Sequence, residues 1–175
     1  VTLQEANAIG ILDLNRSVFT DICSAGFEDY SNVAIDIDKS DDAYAPKTYE
    51  NLRGIRMPDG ISLKEINGKT YLLIANEGDA RDYTGHGNEI KAKTSPTGKF
   101  SLDSNVTWFV ASGYDGLAAD TDYLFGGRSF TLFRVDEKGL TEVFDSGNDF
   151  EALTANYLPK YFNCSNDDLG LEDRS

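Results

Sequence analysis

Three segments of the chain alternate apolar and polar residues in the way that antiparallel β-strands do. The first covers residues 8–22 and turns at the polar residues 15–17, the second covers 61–76, and the third covers 129–145. A period of two places alternate side chains on opposite faces of a sheet, whereas a helix requires a period near 3.6. The pattern therefore predicts three β-hairpins.

The turn of the second hairpin carries the most specific local signal. Asn67 and Gly68 stand between two apolar runs, and an Asn-Gly pair accepts the positive φ angles that a type I′ turn needs at both central positions. The strand that follows is apolar from Tyr71 to Ala75 without a break. Such a run is typical of a strand that is covered on both faces. We therefore expect further strands or other chains to cover this sheet.

The stretches between the hairpins show no sustained period. Residues 24–56 and 80–122 are rich in Asp, Ser, Asn and Gly, and only residues 105–110 have the pattern of a short strand. We expect two long surface excursions there. Residues 149–158 predict a short helix that ends before Pro159. Short strands in antiparallel pairs predict an all-β fold, either a sandwich or a propeller.

Composition limits the partners that the chain can have. The net charge of -14 and the pI near 4.3 disfavour nucleic acid and anionic membranes, while a hydrophobic fraction of 40% is sufficient for a folded core. No apolar run approaches the ~20 residues of a membrane-spanning helix. The N-terminus shows neither an initiator Met nor a signal-peptide pattern, so we expect a processed or truncated chain.

Three Asn-x-Ser/Thr sequons indicate a secretory route. The acceptor residues are Asn15, Asn105 and Asn163, and the last of these is the weakest because Cys164 occupies the middle position. Three acceptors on an acidic chain of this size favour a secreted or cell-surface glycoprotein.

The two cysteines, Cys23 and Cys164, lack the close spacing of zinc ligands. We predict a disulfide between them, and the alternatives are two buried free thiols or pairing with cysteines outside this segment. An internal bridge that closes so long a loop would contribute about 4–5 kcal/mol in the chain-entropy model.

Four motifs distributed along the chain resemble the choice-of-anchor I family, which includes mesenchyme-specific cell-surface glycoproteins linked to biomineralisation. They are Met-Pro-Asp-Gly-Ile at 57–61, Ala-Asn-Glu-Gly-Asp-Ala-Arg-Asp-Tyr at 75–83, Phe-Gly-Gly-Arg-Ser-Phe at 125–130 and Phe-Asp-Ser-Gly-Asn-Asp-Phe-Glu at 144–151. The motifs occur in the family's order over nearly the whole chain.

The resemblance implies an incomplete β-propeller of about one and a half blades with long loop insertions. Residues 1–23 would form the outer half of one blade, 57–147 the next blade with an insertion at 80–122, and 148–175 a connector to a missing blade. A propeller closes with roughly 4–8 blades. We therefore expect the remaining blades of a parent chain, or other subunits, as partners.

Residues 36–42 present oxygen-bearing side chains at the spacing with which a loop can surround Ca²⁺. The candidate ligands are Asp36, Asp38, Ser40, Asp41 and Asp42. The loop is not an EF-hand, because Asp41 and Lys47 occupy the positions of its essential Gly and Glu. The family resemblance implies an Asp/Ser/Gly-rich loop here. A calcium-binding loop and a solvated acidic excursion both stay open.

A second group of charged residues flanks the hairpin at 61–76 and comprises Asp59, Glu77, Asp79, Arg81 and Arg128. Paired strands bring both ends of this hairpin together, and the resemblance implies a position near a propeller's axial channel, where ligands and ions bind. The alternative is that the Asp residues cap turns that the neighbouring glycines shape. We expect Arg128 to pair with a carboxylate of residues 76–82.

Catalytic motifs are absent from the sequence, since the single histidine, His86, has no marked nucleophile to activate. We therefore favour a non-catalytic binding or structural role, namely calcium-dependent adhesion, matrix assembly or biomineralisation. The expected partners are glycans and extracellular matrix or mineral. The alternative is a fragment of a calcium-dependent propeller hydrolase of the phytase or phosphoesterase type. Too few basic residues cluster in the chain to hold such a polyanionic substrate.

Overall fold

The computed structural model describes residues 1–37, 44–81, 83–111, 116–137 and 139–162. These residues form twelve β-strands, one α-helix and two short 3₁₀-helices at Gln4–Ala6 and Pro159–Tyr161. The strands and the helix are β1 (Thr2–Leu3), β2 (Ala8–Asp13), β3 (Val18–Ser24), β4 (Phe27–Asp29), β5 (Leu52–Ile55), β6 (Pro58–Ile66), β7 (Lys69–Asn76), β8 (Glu89–Thr94), β9 (Ser101–Phe109), β10 (Asp122–Phe125), β11 (Ser129–Asp136), β12 (Gly139–Asp145) and α1 (Asp149–Tyr157).

The strands form three open sheets. Their strand orders are β1-β2-β3, β4-β5-β10-β9-β8 and β12-β11-β7-β6. Neighbouring strands are antiparallel except β5 and β10, which run parallel. The all-β prediction is confirmed, whereas the arrangement of these sheets as propeller blades stays a prediction.

All three predicted hairpins are present, as β2–β3, β6–β7 and β11–β12. Asn67 and Gly68 have φ angles of 52° and 72°, the positive values that a type I′ turn requires. Strand β11 pairs with β7 from Ser129 opposite Asn76 to Arg134 opposite Tyr71. The third hairpin therefore extends the sheet of the second, and the first hairpin lies in a separate sheet, as predicted.

The expectation of two irregular excursions was wrong. Residues 24–56 supply β4 and β5, residues 80–122 supply β8, β9 and the beginning of β10, and all five strands share one sheet. Three of these strands have only three or four residues, too few to display a period of two. The longer β9 was recognised only around 105–110, although it covers Ser101–Phe109.

Three apolar clusters form the core of the described part of the chain. The largest lies on the five-stranded sheet and consists of Tyr30, Ile35, Ile37, Leu52, Val106, Trp108 and Leu124. The second joins the three-stranded and four-stranded sheets and consists of Ile9, Ala25, Leu72, Ile74 and Phe133. The third contains Ile55, Met57, Phe109 and Tyr123.

Strand β7 is covered on one face only within the described residues, so its second face lacks the cover from further strands or other chains that its sequence predicts. Leu72 and Ile74 are buried, but Leu73 between them is 39% exposed. Val143 and Phe144 of β12 are also about half exposed. An apolar outer face is thus left open on this sheet among the described residues, consistent with the expected need for further cover.

The predicted helix is confirmed as α1, which ends just before Pro159. Its residue Glu151 is 4% exposed, whereas Phe150, Leu153 and Tyr157 are exposed. The helix therefore points a carboxylate into the protein, and this carboxylate belongs to the site described next.

Candidate functional site

A cleft of about 250 Å³, here called the acidic cleft, opens beside the five-stranded sheet. Residues after β4, residues after β7, the strands β8, β9 and β10, and the turn before β11 form its walls. The lining residues are Tyr30, Ile35, Asp36, Ile37, Gly78, Asp79, Ala80, Glu89, Val106, Thr107, Leu124, Phe125, Gly126 and Arg128.

The lining divides into apolar and charged residues. Tyr30, Ile37, Val106 and Leu124 are buried and belong to the largest core cluster, so the protein interior itself forms one side of the cleft. Burial raises the pKa of the Tyr30 hydroxyl, which therefore stays neutral at physiological pH. Such a surface contributes apolar contact to a ligand.

Among the residues that the structure describes, four charged side chains line the same space. Asp79 and Glu89 are exposed, Arg128 is half-buried and Asp36 is 3% exposed. The predicted calcium residue Asp36 and the predicted channel residues Asp79 and Arg128 thus share one cleft. Glu89 was missed by sequence reasoning because it begins β8, in a stretch that was expected to be irregular.

Glu151 of α1 holds two walls of the acidic cleft together. Its Oε1 accepts a hydrogen bond from Arg128 Nη1 at 3.1 Å, and its Oε2 accepts one from the backbone N–H of Asp36 at 3.2 Å. The Asp36 carboxylate in turn accepts the backbone N–H of Ala45 at 3.1 Å. This ion pair joins Arg128 to the helix. The expected pairing of Arg128 with a carboxylate of residues 76–82 stays a prediction, because Asp82 lies outside the described residues.

Two glycines permit the loops at the cleft to approach each other. Gly78 and Gly126 have φ angles of 104° and 74°, which favour glycine. A Cβ on Gly126 would overlap the carbonyl group of Glu77, and a Cβ on Gly78 would overlap the backbone of Gly126. The glycines of these two motifs are thus required by close backbone packing.

The other predicted channel residues lie against the N-terminal segment. The carbonyl oxygen of Asp59 accepts a hydrogen bond from Thr2 at 2.9 Å, and the Glu77 carboxylate accepts one from Gln4 at 3.0 Å. Arg81 Nη2 donates to the carbonyl oxygen of Glu5 at 3.3 Å. These three residues therefore contact the N-terminal segment and are not among the residues that line the acidic cleft.

The calcium prediction falls only partly within the described residues. Asp36 lies in the acidic cleft, but Asp38, Ser40, Asp41 and Asp42 lie outside the described residues. Within the described part of the chain, no three His, Cys, Asp or Glu side chains are grouped so that they could hold a metal ion. Calcium binding stays a prediction.

The glycan acceptors Asn15 and Asn105 are both exposed, and Asn163 lies outside the described residues. Cys23 is half-buried and has no disulfide partner in the described part of the chain, while Cys164 lies outside it. Burial, and then the charge of Asp21, raise the pKa of the Cys23 thiol. None of the described helices is long and apolar enough to cross a membrane.

Sequence reasoning missed a second charged group, the Arg56 cluster, formed by Arg56, Glu28, Glu142 and Asp145. Arg56 is 4% exposed. Its guanidinium lies 2.7 Å from the Glu28 carboxylate, 2.6 Å from that of Glu142 and 3.4 Å from that of Asp145. Burial raises the pKa of Glu28 to about 7, although the charge of Arg56 acts in the opposite direction. The sequence does contain a signal for this cluster, because Arg56 stands between two apolar residues, as a buried arginine can.

Side-chain hydrogen bonds extend the Arg56 cluster into the four-stranded sheet. Thr131 donates to the Asp145 carboxylate, and Ser129 donates to Glu28 at 3.4 Å. The Asn76 amide donates to both hydroxyls at 2.8 Å. Because Glu28 lies on β4 and Asp145 on β12, this network connects the five-stranded and four-stranded sheets.

Comparison with known proteins identifies similar sequences. A family model described as the choice-of-anchor I domain matches residues 1–175. The chain is also 27% identical over 178 residues to a mesenchyme-specific cell surface glycoprotein of Strongylocentrotus purpuratus, with 82% of this chain and 23% of the relative covered. The chain therefore spans about a quarter of that relative's length. No solved structure matches the chain.

Proposed function

Because the chain belongs to the choice-of-anchor I family, we propose that it acts outside the cell, as part of a secreted or cell-surface glycoprotein with a non-catalytic binding role. The acidic cleft is the observation that carries this proposal. It combines an apolar wall with a few charged groups, the usual composition of a ligand site. The similar protein from Strongylocentrotus purpuratus is named a cell surface glycoprotein, which supports this location.

Two exposed sequons support a glycoprotein. Asn15 lies in the turn between β2 and β3, and Asn105 lies on β9 with its side chain exposed. An oligosaccharide on either residue can extend into solvent without disturbing the core. Treatment of secreted protein with an N-glycosidase should lower its mass, and Asn15→Gln and Asn105→Gln should each remove one glycan.

We propose calcium as the cofactor of this binding role. Asp36, which begins the acidic run 36–42, lines the acidic cleft, where the exposed carboxylates of Asp79 and Glu89 add to the negative field. Hard oxygen ligands of this kind suit Ca²⁺. Bound calcium would fix the run against the cleft and make adhesion, matrix assembly or mineral contact dependent on calcium.

Calorimetric titration of the metal-free chain with Ca²⁺ tests the cofactor. We expect a Kd on the order of 10⁻⁴–10⁻³ M, the range of extracellular modules, and a weaker affinity in Asp36→Asn. Because Asp36 is buried, Asp79→Asn serves as a second variant, and Asp103→Asn on the exposed part of β9 serves as the control. Absence of calcium binding by the folded wild-type chain would contradict the cofactor.

A bead assay tests the adhesive role itself. Beads that carry the glycosylated chain should aggregate, or should bind matrix-coated beads, in the presence of Ca²⁺ and separate on addition of a chelator. Bead aggregation that does not depend on calcium would support adhesion and contradict its dependence on calcium. Absence of any bead association would contradict adhesion.

A further inference from the structure

We propose that the acidic cleft binds a basic side chain, lysine or arginine, of a partner protein. This inference rests on the proposed binding role of the cleft and names the chemistry of its ligand. It follows from the charge, the apolar wall and the size of the cleft together.

The charge of the cleft selects a cation. Asp36, Asp79 and Glu89 line it, while the guanidinium of Arg128 is held by the Glu151 carboxylate at 3.1 Å. Among the described residues, three lining carboxylates therefore accompany one guanidinium, and the charge of that guanidinium is already balanced by Glu151. A ligand that carries carboxylate or phosphate would meet repulsion from this set and from the overall charge of -14.

The apolar wall selects a cation that carries a hydrocarbon stem. Ile37, Val106, Leu124 and Phe125 offer carbon surface inside the same cleft. Lysine and arginine bury their aliphatic stems along apolar surface and keep the charged end near polar groups. Bare Ca²⁺ cannot use this wall, because it binds through oxygen ligands.

The size of the cleft selects a single side chain. Its volume of about 250 Å³ lies below the roughly 300–1,000 Å³ that is typical of sites for drug-sized ligands. The exposed carboxylates of Asp79 and Glu89 are accessible from solvent. A side chain that projects from the surface of a partner can therefore enter with its stem along the wall and its charge beside these carboxylates.

Titration with blocked amino acids tests the inference on the whole chain. The probes are Nα-acetyl-lysine methylamide and Nα-acetyl-arginine methylamide, and the matched control probe is the norleucine analogue, which has an aliphatic stem but no charge. Chemical shifts of the labelled protein report binding. We expect Kd values on the order of 1 mM for the basic probes and at least about fivefold weaker binding of norleucine, from loss of the charge contacts.

Variants connect the binding to the cleft. Asp79→Asn and Glu89→Gln are exposed, so they leave the fold intact, and each should weaken the basic probes by about two- to fivefold. Ala80→Trp keeps every charge and fills the cleft, so it should abolish binding. Asp103→Asn on β9 changes the net charge of the protein by the same amount, but residue 103 does not line the cleft. This control should leave the affinity for the basic probes unchanged.

Equal affinity for lysine and norleucine, unchanged affinity in the Asp79→Asn/Glu89→Gln double variant, or no binding of any probe by the folded chain would each overturn the inference. Calcium binding without lysine binding would leave the proposed function standing and reject only the ligand class. Lysine binding without calcium binding would support the ligand class and reject the calcium cofactor.

Discussion

The acidic cleft and the Arg56 cluster are built from the same residue types but are arranged for different tasks. Each contains one arginine beside several carboxylates. In the cleft, Asp79 and Glu89 are exposed and adjoin an open volume. In the Arg56 cluster, the guanidinium directly contacts the three carboxylates, and hydroxyl and amide groups surround them.

This difference shows that the role of a charged group depends less on its residue type than on its burial and on whether partners within the protein already bind it. The buried guanidinium of Arg56 already holds the largely buried carboxylates of Glu28 and Asp145, together with the partly exposed carboxylate of Glu142. This cluster stabilises the contact between sheets, because removal of the guanidinium leaves the buried carboxylates without compensation. Carboxylates beside an open volume remain accessible to a ligand. We therefore assign binding to the cleft and a structural role to the Arg56 cluster.

The largest expected effect follows from removal of the arginine of the cluster. Arg56→Met leaves Glu28 and Asp145 close together with no cation, so we expect the free energy of unfolding to fall by about 3 kcal/mol. Urea denaturation measures the change. The matched control is Arg53→Met on the exposed side of β5, which should cost less than about 0.5 kcal/mol. Equal effects of the two substitutions on the free energy of unfolding would contradict a structural role of the Arg56 cluster.

The next effect compares two glycines with similar φ angles. Gly126 at the cleft has φ of 74° and a Cβ there would overlap the Glu77 carbonyl, whereas Gly68 in the hairpin turn has φ of 72° and open space around it. Gly68→Ala should therefore lower the free energy of unfolding only through backbone strain, by about 1 kcal/mol. Gly126→Ala should cost at least about 2 kcal/mol and weaken ligand binding to the cleft. Similar costs at both positions would contradict the close packing of the loops.

A smaller effect depends on pH. Burial raises the pKa of Glu28 to about 7 in the folded protein, above the ordinary value of a glutamate carboxyl, so between these two pKa values the folded state binds more protons than the unfolded state. The free energy of unfolding should therefore decrease as pH rises from about 5 to 7, by roughly 1–3 kcal/mol from this group. Denaturation of the wild type and of Glu28→Gln across this range isolates the contribution. An unchanged pH dependence in the variant would count against it.

Sequence reasoning identified the elements whose signals are local. The Asn67-Gly68 turn, the three hairpins and the helix before Pro159 each depend on a short stretch of chain, and each is present. The five-stranded sheet depends on parallel pairing between β5 and β10, which lie about 70 residues apart along the chain. No local period reveals such a partner.

The candidate site was predictable only in part for the same reason. Asp36, Asp79 and Arg128 were selected individually, but their meeting in one cleft depends on the sheet that was missed. Glu151 was not selected, because a carboxylate in a helix of mixed composition does not reveal that it is buried against Arg128. The Arg56 cluster likewise joins residues from distant strands.

The most direct test of the division between the two regions is a titration of the isotopically labelled chain with Nα-acetyl-lysine methylamide, followed residue by residue through backbone amide shifts. The account predicts saturable changes at residues of the cleft lining, such as Ala80, Glu89 and Thr107, with no comparable change at Arg56 or Glu142. Changes centred on the Arg56 cluster, or none in the cleft at saturating probe, would contradict it.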